Sequence, residues 1–297
     1  MKSRTIYPSM PRDSIQTIQL SPDGKILAAA SWDQNIYLYD TILVKHLQTV
    51  NVQAVPLSII FVENNMLAIG CSDGQILLYN HSQKQTKLLG KHSAPVRTLN
   101  FFQDRLFSAG YDEILTSWNL QKLERLAQFP LPGRPFASSN STSHLTIAIS
   151  NREILTFDDS LNLINRIESP LRHQTRFLAQ NEQFLTISSV EGRVAVEGTE
   201  KFAFRAHKTD GISYPVHGLA LVSGCLVSCG ADGQVYFWDL KMRKKIFKIS
   251  ESGGVSSVVI GGNRVFIAKS YMWENGNDGK KSEEIGIVSY DLNEILQ

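Results

Sequence analysis

The chain has 297 residues, of which 42% are hydrophobic and 20% charged. This composition supplies a substantial apolar core and excludes a disordered chain. Thirty basic and 28 acidic residues give a formal charge of +2, so we expect no direct binding of nucleic acid by the molecule as a whole. The three cysteines form no CxxC pair, which argues against both a disulfide framework and a zinc site.

No segment has the apolar core of a signal peptide or the ~20 apolar residues of a membrane span, so we predict no membrane association. The histidines show no metal-ligand spacing, and no glycine-rich phosphate loop is present. We therefore expect neither a metal nor a cofactor.

A hairpin pattern recurs along the chain: a run of small or branched residues, an acidic or Asn turn residue, then alternating apolar residues that end near an aromatic. The turn residues are Asp33, Asp73, Asp112, Asn151, Glu191 and Asp232, at successive spacings of 40, 39, 39, 40 and 41. The runs before the turns occupy residues 25–31, 65–72, 104–110, 144–150, 183–189 and 225–230, with a seventh at 264–270. Such runs are typical of strands that are covered on both faces.

No segment has a sustained 3.6-residue period, so we predict an all-β chain. Seven units of about 40 residues, one of them ending in Trp238-Asp239, resemble the WD-repeat β-propeller, in which each unit forms a four-stranded blade. We predict a single seven-bladed domain over residues 1–297. Too few residues follow Asp291 for another strand, so residues 3–7 are predicted to supply the outer strand of the seventh blade and close the ring.

Two units contain the residue types of a catalytic triad. They carry the sets His92, Ser108, Asp112 and Trp118, and His207, Ser228, Asp232 and Trp238. Both sets keep the same Ser–Asp and Asp–Trp spacing, and in WD repeats such a set forms a buried hydrogen-bond chain. The repetition within one chain favours this structural role over catalysis, and we predict that the protein is not an enzyme.

The fifth unit departs from the repeat because Glu197 stands at its aromatic position. Arg193 begins the same strand, and Arg205 ends the next one after a short loop. One interpretation is an intrablade salt bridge. The other is a site for carboxylates, which guanidinium groups bind bidentately.

Two further departures lie in the last units. Residues 270–284 form an insertion that starts with Tyr271, Met272 and Trp273, which fit either buried packing or peptide contact. Residues 241–245 form a basic run, KMRKK, which fits either a solvated turn or a site for an acidic or phosphorylated peptide.

Several motifs resemble the mitotic-checkpoint propeller of the budding-uninhibited-by-benzimidazole family. They are SWDQNIYLYD (31–40), KHSAPVR (91–97), ESPLRHQTR (168–176), SSVEGRVAVE (188–197), KFAFRAH (201–207), YPVHGLAL (214–221) and SYMWE (270–274). The resemblance runs across nearly the whole chain and is densest after residue 168. It implies a monomeric, non-catalytic spindle-checkpoint adaptor that resides in the nucleus and at mitotic kinetochores.

The resemblance also implies two peptide sites. The acidic GLEBS motif of a checkpoint kinase or pseudokinase would place its paired glutamates on Arg193 and Arg205, which favours the carboxylate interpretation. Phosphorylated MELT repeats of a kinetochore scaffold would contact Arg243, Trp32 and Lys25.

The chain also departs from the family pattern. Gly110-Tyr111-Asp112 replaces the usual SWD in the third unit, and the fourth unit carries little of the family signature. A sister family, the messenger-RNA export propeller, binds a GLEBS motif of a nucleoporin and is the alternative. VAVE (194–197) and SYMWE favour the checkpoint branch.

Overall fold

Antiparallel strands make up nearly all of the chain in the computed structural model, which describes residues 3–222, 224–272 and 285–295. The strands form seven four-stranded sheets, so the predicted seven-bladed β-propeller is confirmed. In six of these sheets all four strands are consecutive in the sequence. The seventh combines three consecutive strands with the N-terminal strand. By contacts, the chain divides into two compact units, one comprising Met1–Gln53, Glu191–Arg193 and Arg205–Gln297, the other Ala54–Val190 and Val194–Phe204.

The first unit contains blades one, six and seven. Blade one is β2 (Ile15–Leu20), β3 (Ile26–Ser31), β4 (Asn35–Asp40) and β5 (Lys45–Asn51). Blade six is β24 (Val216–Val222), β25 (Cys225–Gly230), β26 (Gln234–Asp239) and β27 (Lys244–Ser250), preceded by a small hairpin of β22 (Lys208–Thr209) and β23 (Ile212–Ser213). Blade seven is β28 (Gly254–Gly261), β29 (Arg264–Ser270), β30 (Gly286–Asp291) and β1 (Arg4–Ile6).

The second unit contains blades two to four and most of blade five. Blade two is β6 (Pro56–Glu63), β7 (Met66–Cys71), β8 (Gln75–Asn80) and β9 (Gln85–Lys91). Blade three is β10 (Val96–Phe102), β11 (Arg105–Gly110), β12 (Ile114–Asn119) and β13 (Glu124–Pro130). Blade four is β14 (Pro135–Asn140), β15 (Leu145–Ile149), β16 (Glu153–Phe157) and β17 (Leu163–Glu168), and blade five is β18 (Thr175–Gln180), β19 (Leu185–Ser189), β20 (Arg193–Glu197) and β21 (Phe202–Arg205).

The acidic turn residues recur because their carboxylates close the hairpin between the two middle strands. Asp33 accepts a hydrogen bond from the Asn35 backbone N–H at 3.1 Å, and Asp73 accepts the equivalent bond from Gln75 at 3.1 Å. Such Asx turns hold the backbone that a two-strand reversal needs. The strand before each turn is covered on both faces, as in β3, where residues 27–31 are all buried.

The N-terminal strand completes blade seven, as the sequence predicts. In β1, Arg4 lies opposite Tyr290 and Ile6 opposite Val288 of β30. The Arg4 guanidinium also pairs with the buried Glu251 carboxylate at 2.9 Å. Just after β1, the ring of Tyr7 is fully buried.

We expect Tyr7→Ala to destabilise the protein by about 3–5 kcal/mol, because it removes a buried aromatic ring and leaves a cavity. The ring packs against Tyr39 and Phe266, with centroids 5.8 and 6.1 Å away. The neighbouring side chain of Ile6 is 51% exposed, so Ile6→Ala is the matched control and should change stability by less than about 0.5 kcal/mol. Urea unfolding of both variants measures the difference, and equal losses would contradict the role of Tyr7 as an anchor.

Candidate functional site

The edge of blade five brings Arg193 and Arg205 together. The carbonyl oxygen of Gly192 accepts hydrogen bonds from the backbone N–H of Ala206 at 2.8 Å and of His207 at 3.0 Å. In an antiparallel pair this register sets Arg193, the first residue of β20, opposite Arg205, the last residue of β21. Opposite residues have Cβ atoms about 4.5–5.5 Å apart, so two guanidinium groups extend from neighbouring positions.

Gly192 makes this close approach possible. Its φ of +75° lies in the left-handed region, which glycine adopts without strain. A Cβ atom at this position would lie 2.3 Å from the carbonyl oxygen of His207, well inside contact distance. The glycine of the SxxGR motif therefore fixes the register that sets the two arginines opposite each other.

Neither arginine has a carboxylate partner among the residues that the structure describes. Arg193 is half-buried and Arg205 is exposed. Glu197, at the far end of β20, instead pairs with Lys201 at 2.7 Å. Among the described residues, Glu197 thus pairs with Lys201 and with neither arginine, so the salt bridge expected for Arg193 and Arg205 does not form with Glu197.

Trp32 and Lys25 lie at opposite ends of β3. Trp32 is 49% exposed, and its indole N–H donates to the side-chain oxygen of Gln16 at 3.0 Å. Lys25 precedes the strand and lies 3.4 Å from the Asp23 carboxylate. Because six strand residues separate the two side chains by about 20 Å, the structure does not bring them together.

Arg243 lies in the exposed turn between β26 and β27. This turn is at the end of blade six that corresponds to the Lys25 end of blade one. The basic run is partly anchored, since the ammonium of Lys245 sits 5.2 Å from the centre of the Tyr236 ring. The contact of Lys245 therefore holds one end of the basic run, while Arg243 is exposed to solvent.

The insertion of blade seven is described only at its start. Met272 is buried, and an added Cβ on Gly254 would collide with it at 2.2 Å. Tyr271 is half-buried, and its backbone carbonyl accepts a hydrogen bond from the Ser14 hydroxyl at 3.2 Å. Trp273 and residues 274–284 lie outside the described residues.

The two triad-like sets form the hydrogen-bond chains expected of WD repeats. In blade three, Ser108 lies 2.8 Å from His92 Nε2 and accepts the Trp118 indole N–H at 2.8 Å. His92 Nδ1 lies 3.0 Å from Asp112. The Ser108 hydroxyl is engaged on two sides and fully buried, an arrangement suited to holding a blade rather than to attacking a substrate.

Blade six repeats the chain with the same geometry. Ser228 lies 2.9 Å from His207 Nε2 and accepts the Trp238 indole N–H at 2.9 Å, while His207 Nδ1 lies 2.8 Å from Asp232. His207 also begins the segment that carries the small β22–β23 hairpin. The backbone N–H of His207 donates to the carbonyl oxygen of Gly192, so the hydrogen-bond chain of blade six supports the strand end that carries Arg205.

The β22–β23 hairpin is a feature that the sequence interpretation missed. Asp210 and Gly211 form its tip with φ values of +50° and +84°. This Asp-Gly pair is typical of a type I′ turn and was the available signal. The hairpin begins three residues after Arg205 and exposes Ile212, whose side chain is 57% accessible.

The described residues contain no group of three or more His, Cys, Asp or Glu side chains that could hold a metal ion. In the same part of the chain, no helix is long and apolar enough to cross a membrane.

The WD domain, G-beta repeat model matches residues 4–40 and 198–239. The mRNA export factor rae-1 of Caenorhabditis elegans is 27% identical over 97% of this chain and 88% of its own length. The mitotic checkpoint protein bub-3 of the same organism is 28% identical over 93% of this chain and 89% of its own length. The mitotic checkpoint protein bub3 of Dictyostelium discoideum is 26% identical over 97% and 95%.

A likeness to a solved structure supports the fold alone. The structure of U3-55K aligns with a TM-score of 0.86 and covers 97% of this chain and 98% of its own, at 14% identity.

We expect Ser108→Ala to destabilise the protein by about 1–3 kcal/mol, because it removes the shared partner of two buried ring nitrogens. Ser117→Ala is the matched control in the same blade, since the Ser117 hydroxyl is buried without a hydrogen-bond partner. The control should be neutral or slightly stabilising in urea unfolding. Equal destabilisation by the two substitutions would contradict the hydrogen-bond chain.

Proposed function

We propose, from the premise that this chain is a WD40-repeat β-propeller related at similar identity to Bub3 checkpoint proteins and Rae1 export proteins, that it is a non-catalytic adaptor of the spindle assembly checkpoint. It binds the acidic GLEBS motif of a checkpoint kinase or pseudokinase. It then carries that partner to phosphorylated MELT repeats of a kinetochore scaffold. The protein acts as a monomer before partner binding, in the nucleus and, during mitosis, at kinetochores.

The observation that carries the proposal is the pair of arginines opposite each other without a carboxylate. Arg193 and Arg205 lack an acidic partner among the described residues, whereas the neighbouring Glu197 has Lys201. Two cations held side by side repel each other. A ligand with paired negative charges relieves this repulsion and is therefore bound favourably. A peptide with two glutamates, as in the GLEBS motif, supplies this charge pattern.

The guanidinium groups also match the geometry of carboxylates. Each can donate two parallel hydrogen bonds to one carboxylate, which fixes the orientation of the peptide as well as its affinity. Arg193 is half-buried, so its ion pair would be shielded from water and salt more than a surface pair. We propose Arg193 as the anchor and the more exposed Arg205 as the orienting contact.

Phosphorylated MELT repeats would contact residues other than the arginine pair. Trp32 offers an exposed aromatic face, and Arg243 lies in an exposed basic turn. Arg243 and Lys25 lie at corresponding ends of blades six and one, whereas Trp32 lies at the other end of β3, so Trp32 would contact a different part of the phosphopeptide from the two basic residues. Tyr271 and Trp273 remain proposed peptide contacts.

The comparisons support the export function as the second candidate. An mRNA export factor and a checkpoint protein match the chain at 27% and 28% identity, over nearly the same share of it. A GLEBS motif would dock on the same arginines in both functions. The partner, not the arginine pair, therefore distinguishes the two candidates.

We expect Arg193→Glu and Arg205→Glu each to weaken GLEBS peptide binding at least tenfold, with the larger loss at Arg193. Each substitution places a carboxylate opposite a peptide carboxylate, and like charges brought together at an interface cost several kcal/mol. Isothermal titration calorimetry with a synthetic GLEBS peptide gives the affinities. Arg125→Glu, in the exposed outer strand of blade three, is the control for net charge and should bind as the parent does.

Unchanged affinity in both variants would remove the arginines from the site. Loss in all three variants would indicate a nonspecific effect of net charge.

Capture of partners from mitotic cells distinguishes the two candidate functions. The parent chain should retain a checkpoint kinase or pseudokinase and a kinetochore scaffold, and the Arg193→Glu variant should lose the kinase while keeping its fold. Recovery of a nucleoporin without either checkpoint partner would instead establish the export function. Thermal unfolding of the variant checks that its fold is intact.

A further inference from the structure

Arg264 begins β29 of blade seven, and its guanidinium reaches across β30 to the N-terminal strand. Its Nη2 donates a hydrogen bond to the hydroxyl of Thr5 at 2.5 Å. The strand register explains this reach. Thr5 lies opposite Ser289 and Arg264 lies opposite Asp291, and these two partners are neighbours on one face of β30. An arginine two strands away therefore contacts the outermost strand of the sheet.

The guanidinium of Arg264 has an unused donor and an uncompensated charge. Its Nε is buried and has no hydrogen-bond partner. No carboxylate lies within salt-bridge distance of Arg264 among the described residues. The carboxylate of Asp291 instead accepts hydrogen bonds from the Asn263 side chain at 3.2 Å and the Asn293 backbone N–H at 2.8 Å. A buried N–H without an acceptor lowers stability, so an added anion would be favourable here.

The two donors in question lie on the same edge of the guanidinium. Nε and Nη2 together form an edge that binds two oxygens of a carboxylate or phosphate in parallel. The hydroxyl of Thr5 offers one oxygen, which engages Nη2 alone. A phosphate on this hydroxyl would bring three further oxygens to the edge and engage both donors. The Thr5 side chain is half-buried, so the ion pair would be partly shielded from water and salt.

The hydroxyl of Ser3 lies in the opposite electrostatic environment. It donates to Oε1 of Glu294 at 2.8 Å, and the Ser3 backbone N–H donates to Oε2 at 2.8 Å. A phosphate at Ser3 would therefore face a carboxylate and be repelled. Two hydroxyls that are two residues apart thus differ in the sign of the charge that receives them.

We propose that Thr5 is a phosphorylation site whose phosphate binds Arg264 and holds the N-terminal strand in blade seven. A protein kinase supplies the group from ATP. The Thr5 oxygen forms a bond to the γ-phosphorus while the bond from that phosphorus to the oxygen of ADP breaks, and the hydroxyl proton passes to a base of the kinase. Lys2 and Arg4 precede Thr5, which favours a kinase with an acidic substrate groove. The modification goes beyond the proposed function because it uses neither peptide site.

The kinase reaches Thr5 when β1 leaves the sheet. This strand has three residues and pairs on one side only, and short edge elements open locally at a small part of the free energy of unfolding. The Thr5 hydroxyl is accessible in the open form. When β1 pairs again with β30, it brings the phosphate to Arg264, and the closed form becomes more favourable than before.

Hydrogen exchange of the amide groups of residues 4–7 measures how often β1 opens. Full-length protein with phosphothreonine at position 5, incorporated during translation, is compared with the unmodified chain. The phosphate should slow the exchange of these amides at least tenfold. Arg264→Gln should abolish this gain. Arg264→Lys, which keeps the charge but loses the two-donor edge, should retain a smaller gain and serves if the glutamine variant fails to fold.

Phosphoserine at position 3 is the matched control, because it adds the same charge to the same segment. Exchange at residues 4–7 should then be unchanged or faster, since the phosphate faces Glu294. Equal protection by the two phosphates would indicate a general effect of charge and overturn the proposal. The absence of a gain from the Thr5 phosphate, or the same gain in the parent and the Arg264→Gln variant, would also overturn it.

Mapping of phosphate on the folded full chain tests whether the site is used. The protein is incubated with ATP and an extract of dividing cells, and the modified residues are then located by mass spectrometry. Phosphate is expected on Thr5. Its absence there, in an extract that phosphorylates an added control protein, would contradict the assignment. Neither experiment involves the GLEBS peptide, so failure of this proposal is distinct from failure of the proposed function.

Discussion

The carbonyl of Gly192 sets the arrangement on which the proposed function depends. By accepting the backbone N–H groups of Ala206 and His207, it fixes the register of β20 against β21 and sets Arg193 opposite Arg205. His207 is itself held by Ser228 and Asp232, and Ser228 by Trp238. A structural hydrogen-bond chain in one blade thereby supports a charged pair at the edge of the preceding one.

Because the repeat is regular, residues that depart from it, such as Arg193 and Arg205, are informative. Carboxylate-closed turns and doubly buried middle strands recur throughout the chain, and they supply the stability that permits unusual side chains elsewhere. Two opposed cations without an acid lower stability, and sites of this kind are found where function requires them. Blade five contains one such pair, Arg193 and Arg205.

Much of this organisation could be predicted from the sequence because it arises from local chemistry. The Asp and Asn turn residues indicate hairpins directly. Too few residues follow Asp291 for another strand, and this predicted that the N-terminal strand completes blade seven. The ionic partners could not be predicted. Glu197 pairs with Lys201 rather than with either arginine because of the path of the β20–β21 loop. The Asp-Gly tip of the β22–β23 hairpin was overlooked within a larger repeat. The β-bulges in the first strands of blades three and five have no local sequence signature, because they depend on pairing between strands.

The central claim is that the arginine pair binds the paired glutamates of the partner directly. A reciprocal charge reversal measures this contact: the Arg193→Glu/Arg205→Glu protein is titrated with the parent GLEBS peptide and with a peptide whose two glutamates are replaced by lysine. Direct contact predicts that each reversal alone weakens binding strongly, whereas the two together recover at least about tenfold, a coupling of roughly 1.4 kcal/mol or more. Losses that simply multiply, with no recovery in the doubly reversed pair, would contradict the account.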